Sequence, residues 1–88
     1  MDDLKCYFVY VLYSEKCDRY YIGYSQNPHQ RLMEKHNLGK VTATKNCQPY
    51  NLMGVKKFES QFEAIQEERR LKKMKSRKYL EHLLRGNW

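Results

Sequence analysis

A nearly continuous run of apolar, β-branched and aromatic residues near the start of the chain constrains the fold more than any other feature. The run covers residues 5–13 and reads Lys-Cys-Tyr-Phe-Val-Tyr-Val-Leu-Tyr. This composition is typical of a strand that is covered on both faces. We therefore predict a central strand with other elements packed on each side of it.

Two further strands are predicted from the same kind of pattern. The polar residues 14–18 indicate a turn, and residues 19–24 form a second strand that makes a hairpin with the first. Residues 50–58 predict a third strand, which Gly54 interrupts. Gly23 lies inside the second strand, and a glycine there indicates close approach of a backbone or a ligand.

Capping residues mark the starts of three helices. Asn27-Pro28 opens the first, which should run to about residue 37, with Asn as the N-cap. Ser60 and Glu63 form a capping box that begins the second. Ser76 caps a third, which should run to about residue 85. The predicted order is β-β-α-β-α-α, an α+β domain that occupies all of residues 1–88.

The charge of the chain is strongly positive and unevenly distributed. Its 17 Lys and Arg against 10 Asp and Glu give +7, of which residues 45–88 carry +6. Residues 69–78 hold seven cations and no acid. Such a run is either a solvated helix face or a surface that meets a polyanion, and nucleic acid is the first candidate. A membrane partner is not expected, because no apolar run approaches the roughly 20 residues of a membrane span.

The three cysteines, Cys6, Cys17 and Cys47, are odd in number and widely spaced. No C-x-x-C pair occurs, so the sequence predicts neither a disulfide framework nor a cysteine-rich zinc site. A reducing, cytoplasmic location follows from that expectation.

Helical periodicity singles out Glu68 as a candidate functional residue. At about 100° per residue, Glu68 falls within an apolar arc formed by Ala64, Ile65 and Leu71. A carboxylate among core-facing positions is costly unless it is paired or binds a cation. One explanation is an i,i+4 ion pair with Lys72, and the other is a functional site.

Paired motifs on the first two strands resemble those of the GIY-YIG nuclease superfamily. Phe8-Val9-Tyr10 and Tyr21-Ile22-Gly23 are followed in register by Arg31, by His36-Asn37-x-Gly39-Lys40 and by Glu68. The resemblance covers about residues 6–80. It is greatest to small single-domain bacterial members, similar to the nuclease domain of the excinuclease C subunit. It implies a three-stranded antiparallel sheet flanked by helices.

The resemblance also implies metal-dependent hydrolysis of DNA phosphodiester bonds, in repair or recombination. In that scheme Glu68 holds one divalent metal, Mg²⁺ or alternatively Mn²⁺, through a single carboxylate. The metal and Arg31 stabilise charge on phosphorus, and Tyr10 or Tyr21 orients or deprotonates the attacking water. Residues expected to contact DNA are Gly23, Ser25, Lys35, Thr44, Lys45, Lys72 and Lys73.

His36 departs from the family spacing. The family places this histidine four residues after the arginine, whereas His36 follows Arg31 by five and Lys35 occupies the fourth position. Either the helix ends or bulges early and returns His36 to the site, or Lys35 substitutes for it.

Two functions remain open. The first is an endonuclease that acts on branched or damaged DNA. The second is a module of the same fold that binds nucleic acid without cleaving it, or acts only with a protein partner that supplies specificity.

Overall fold

The computed structural model describes residues 6–41 and 44–88. Its three strands, β1 (Tyr7–Ser14), β2 (Arg19–Ser25) and β3 (Asn51–Phe58), form one antiparallel sheet in the order β2-β1-β3. The predicted central strand is therefore confirmed as β1, although Lys5 of the predicted run lies outside the described residues.

In the described ranges, three helices accompany the sheet. They are α1 (Pro28–Arg31), which continues as a π-helical turn over Leu32–His36, α2 (Gln61–Met74), and α3 (Arg77–His82), which continues as a second π-helical turn over Leu83–Asn87. The N-caps are those predicted: the side chains of Asn27, Ser60 and Ser76 each accept a hydrogen bond from a backbone N–H three residues on. The order β-β-α-β-α-α is thus confirmed. Within the described ranges, no helix has both the length and the apolar character needed to cross a membrane.

Side chains of β1 alternate between two buried clusters. Val9 and Val11 enter an apolar core that α2 and α3 complete, with Ile22, Ala64, Leu71, Leu80 and Leu83 as its other buried members. Tyr10 and Leu12 point to the other side and pack with Leu32, Cys47 and Tyr50. The strand is therefore covered on both faces, as its composition predicts.

The predicted interruption of the third strand is a β-bulge. Val11 pairs with Gly54, but the next residue of β1, Leu12, pairs with Leu52, so Met53 is the extra residue of β3. A Cβ atom at Gly54 would lie 2.5 Å from Cδ2 of Leu84. The glycine therefore lets the C-terminal segment approach the strand.

The prediction that the cysteines form no disulfide is wrong, because Cys17 and Cys47 are joined. Cys17 lies in the β1–β2 turn and Cys47 precedes β3. The two strands that flank β1 bring these distant segments to the same end of the sheet, where Ser14 Oγ accepts from Cys17 N and donates to Cys47 O. The expectation of a cytoplasmic location rested on the absence of a disulfide and loses that support. Cys6 is a free thiol.

Candidate active site

Tyr10 lies at the centre of the sheet and is almost fully buried. Its hydroxyl accepts a hydrogen bond from Arg31 Nε at 3.2 Å and lies 2.9 Å from His36 Nε2. Gly23 is directly opposite on β2, and a Cβ atom there would lie 2.5 Å from the Tyr10 hydroxyl. The structure thus shows a close approach at Gly23, made by the Tyr10 side chain.

The π-helical turn after α1 resolves the spacing of His36. Asn37 N donates to Leu32 O at 2.9 Å and Lys40 N donates to Lys35 O at 2.8 Å, both across five residues. Because this turn contains one extra residue, His36, five residues after Arg31, lies on the same face of the helix as Arg31. Of the two alternatives, the structure shows the bulged helix: His36 lies beside Tyr10, and Lys35 is exposed.

Thr44 lies beside the other nitrogen of His36. Its Oγ1 is 2.9 Å from His36 Nδ1 and 3.3 Å from the carbonyl oxygen of Val41. One tautomer of the neutral imidazole gives every group a partner: Tyr10 donates to Nε2, Nδ1 donates to Thr44, and Thr44 donates to Val41. We assign this tautomer, in which the hydrogen bonds run from Arg31 through Tyr10 and His36 to Thr44.

The protonation states agree with that direction. Burial raises the pKa of Tyr10 to about 12, and the hydrogen bond from Arg31 opposes only part of this rise. Burial also lowers the pKa of His36 to about 4, with a further contribution from the positive charge of Arg31. At neutral pH the phenol is therefore protonated and the imidazole is neutral.

Tyr21 and Glu68 extend the chain of contacts on the other side of His36. The Tyr21 ring lies 4.9 Å from the imidazole, and Lys72 Nζ lies 5.7 Å from the centroid of the Tyr21 ring. Lys72 Nζ is also 3.3 Å from Glu68 Oε2, and the Glu68 side chain is only 16% exposed. The ion pair anticipated from sequence is thus present, and it joins Glu68 to the other residues. We call Tyr10, Tyr21, Arg31, His36 and Glu68 the polar cluster.

The family model of the GIY-YIG catalytic domain matches residues 6–80. The chain belongs to the GIY-YIG family. This family consists of endonucleases, so membership identifies a nuclease fold and implies DNA as the substrate. No curated protein matches the chain.

The side chains available as ligands limit which metal ions this GIY-YIG domain could bind. Among residues 6–41 and 44–88, no group of three or more His, Cys, Asp or Glu side chains could hold an ion. This excludes a zinc-type site built from protein ligands there. Mg²⁺ is commonly bound through one or two carboxylates, with water and substrate phosphates completing its shell. Glu68 meets that requirement, since in the described part of the chain only its Oε2 is engaged.

The residues predicted to contact DNA fall into two groups. Gly23 and Thr44 are buried and contact Tyr10 and His36, respectively. The others are at least partly exposed: Ser25 and Lys35 line an open cleft of about 300 Å³ beside Arg31, Lys72 joins Glu68 to Tyr21, and Lys45 and Lys73 are on the surface.

Two residues that matter for the site were not assigned a role from sequence. Asn37 accepts from Tyr50 N at 2.6 Å and donates to Tyr50 O at 3.3 Å, which holds the start of β3 against the π-helical turn. The Tyr50 ring lies 6.4 Å from the His36 ring and is buried. The adjacency of Asn37 to His36 was visible in the sequence, but its partner lies 13 residues away.

Proposed function

We propose that this GIY-YIG domain is a metal-dependent endonuclease that hydrolyses phosphodiester bonds of DNA. The observation that carries the proposal is the continuous set of contacts through the polar cluster. It connects residues from β1, β2, α1, the π-helical turn and α2, which are up to 58 positions apart in the chain. A folding core alone does not require such a convergence of an arginine, a histidine, a glutamate and two tyrosines.

Arg31 is the residue best placed to bind the phosphate. Its Nε donates to Tyr10, which fixes the guanidinium, while the side chain also lines the open cleft that contains Ser25 and Lys35. Among the described residues its terminal nitrogens form no hydrogen bond, and they would be suited to two parallel hydrogen bonds to phosphate oxygens. Held in this way, Arg31 would stabilise the negative charge that develops on phosphorus during attack.

Glu68 would hold the divalent metal, with Mg²⁺ as our first choice and Mn²⁺ as the alternative. When bound, the metal supplies Lewis-acid stabilisation of the phosphate and lowers the pKa of a bound water. Lys72 pairs with Glu68 and also lies over the Tyr21 ring, so it would hold the carboxylate near the other cluster residues. It would also add a positive charge beside the same phosphate.

The two tyrosines differ in their access to an attacking water. Tyr10 is buried, its pKa is raised to about 12, and its hydroxyl is occupied by Arg31 and His36. Tyr21 is only half-buried and lies between His36 and Lys72. We therefore assign the orientation of the water to Tyr21, and we assign to Tyr10 the positioning of Arg31.

The size of the chain favours DNA structure over DNA sequence as the feature recognised. An 88-residue domain offers little surface for reading base edges in addition to the site itself. Branched, nicked or damaged DNA is accordingly our proposed substrate, in repair or recombination, with a protein partner as a further source of specificity.

The test is cleavage of nicked and branched duplexes in Mg²⁺ or Mn²⁺. We expect wild type to cut, Glu68→Gln to lose activity by at least roughly 10²-fold, and Glu63→Gln to behave as wild type. Glu63 is a suitable control because it is an exposed carboxylate on the same helix. A wild-type protein that binds these duplexes and cuts none of them with either metal would favour the binding module over the nuclease.

A further inference from the structure

A second open depression lies between the start of β2 and the junction of α2 with α3. It encloses about 300 Å³, and four cationic side chains line it: Arg19, Lys72, Lys75 and Arg77. We call it the basic groove. None of the sequence motifs assigns it a role, and Lys72 is the only one of these cations that the sequence marked for DNA contact.

The positive charge of the groove is only partly neutralised. Among the described residues that line it, Asp18 is the sole carboxylate; it pairs with Arg77 at 2.7 Å, and Glu81 pairs with the same guanidinium at 3.3 Å. Arg19 and Lys75 are exposed and form no ion pair within the part of the chain that the structure describes. Two cations that face an open groove and have no ion-pair partner among the described residues are suited to bind an anion.

The floor of the groove is apolar. Ile22, Leu71 and Leu80 are buried there, next to the partly buried ring of Tyr20. An isolated inorganic phosphate would gain nothing from this surface. A sugar–phosphate backbone would place its deoxyribose carbons against the floor and its phosphates against the cationic rim.

The turn between α2 and α3 creates the groove from the cationic run. Lys75 ends α2 in the left-handed conformation (φ 49°), and Ser76 caps α3, so the chain changes direction within the run. Lys72, Lys75 and Arg77 then face the groove, whereas Arg70 pairs with Glu67 at 2.8 Å. The run is therefore not a single solvated helix face.

Lys72 connects the groove to the polar cluster, because it lines the groove and also contacts Glu68 and Tyr21. Arg31 connects the opposite end of the cluster to the cleft that Ser25 and Lys35 line. We propose that the basic groove holds the DNA backbone immediately beside the phosphate that is cut, so that the strand passes from the cleft across the cluster into the groove. The position of the cut phosphate rests on the proposed function, but binding of DNA in the groove does not.

The experiment measures binding of a fluorescein-labelled, nicked 20-base-pair duplex by fluorescence anisotropy in EDTA, so that no cleavage occurs. The test variant is Arg19→Ala with Lys75→Ala. The matched control removes two exposed cations outside the groove, Lys16→Ala with Lys57→Ala. Each protein is titrated between about 50 and 200 mM NaCl, the range in which phosphate contacts strongly affect affinity.

We expect the test variant to bind at least roughly 10-fold more weakly than the control, with a log–log salt slope smaller by about 1 to 2. Circular dichroism should show that both variants remain folded, since all four substituted side chains are exposed. Equal losses in the test and control variants would overturn the proposal. Selective loss of binding in a protein that never cuts would support the groove and refute the nuclease. Normal binding by the test variant together with cleavage by wild type would overturn the groove proposal and support the nuclease.

Discussion

The two sides of β1 differ in what they bury. Val9 and Val11 face a cluster whose buried members are all apolar. Tyr10 and Ser14 face the other side, together with His36 and Thr44, and these four side chains are hydrogen-bonded, whereas the hydroxyl of buried Tyr50 has no partner among the described residues. Successive residues of one strand thus serve an apolar core and a polar cluster. Burial of the apolar side chains stabilises the fold, whereas burial of the polar groups on the other side costs free energy and offsets part of that stabilisation.

Truncation in the apolar core should have the largest effect, and it should affect stability alone. Leu83→Ala is expected to lower the free energy of unfolding by about 2–5 kcal/mol, because Leu83 is 6% exposed and its loss leaves a cavity. Urea denaturation measures this change. Leu83→Met, which nearly conserves volume, should cost less than about 1.5 kcal/mol. Cleavage by the folded fraction of either variant should match wild type, and a selective loss of activity would show that the two sides are not separable.

Acid should destabilise the protein through His36 on the polar side. The pKa of His36 is about 4 in the folded protein against 6.5 in the unfolded chain, so the unfolded state binds the proton first. Stability should therefore be full above pH 6.5 and fall by about 3 kcal/mol between pH 6.5 and 4. Urea denaturation at several pH values measures this fall. His36→Gln should flatten it, whereas His29→Gln should not, since His29 is exposed. An unchanged profile in His36→Gln would contradict the buried neutral imidazole.

Removing one hydroxyl from β1 should affect activity only on the polar side. Tyr10→Phe leaves Arg31 Nε and His36 Nε2 without their shared partner, so Arg31 is no longer held in place. We expect cleavage to fall by roughly 10²-fold, mainly in kcat, with a stability loss of about 1–3 kcal/mol. Tyr13→Phe is the control on the opposite side of the strand, where the hydroxyl bonds exposed Asp18. Equal kcat values for the two variants would contradict the positioning role of Tyr10.

Removal of a helix cap should have the smallest effect on stability. Asn27→Ala and Ser60→Ala each remove one side-chain acceptor at a helix start and should each cost about 1 kcal/mol. Only Asn27→Ala should also slow cleavage, because α1 carries Arg31 into the cluster. Thermal denaturation and initial cleavage rates measure the two effects. If Ser60→Ala slowed cleavage as much, the cap of α1 would have no special link to the site.

Local patterns in the sequence were sufficient for the strands, the caps and the order of elements. Contacts that depend on strand register or on distant segments could not be predicted from the sequence. The disulfide was not predicted because Cys17 and Cys47 are 30 positions apart and are brought together only by the order of the strands in the sheet. Periodicity identified Glu68 but could not choose between an ion pair and a site, and the structure shows that the pair with Lys72 is part of the arrangement around the site. The close approach at Gly23 was predicted, but its source required the pairing of Gly23 with Tyr10.

The π-helical turn has a consequence for how relatives of this chain should be compared. An alignment that counts residues from Arg31 would match Lys35 to the family histidine, although it is His36 that lies beside Tyr10 in this chain. Deleting Lys35 should convert the wide turn to an ordinary α-helical one and keep histidine and arginine on the same face. The spacing between these two residues is therefore a variable that backbone geometry can absorb, and a motif defined by a fixed count would overlook chains that carry the same site.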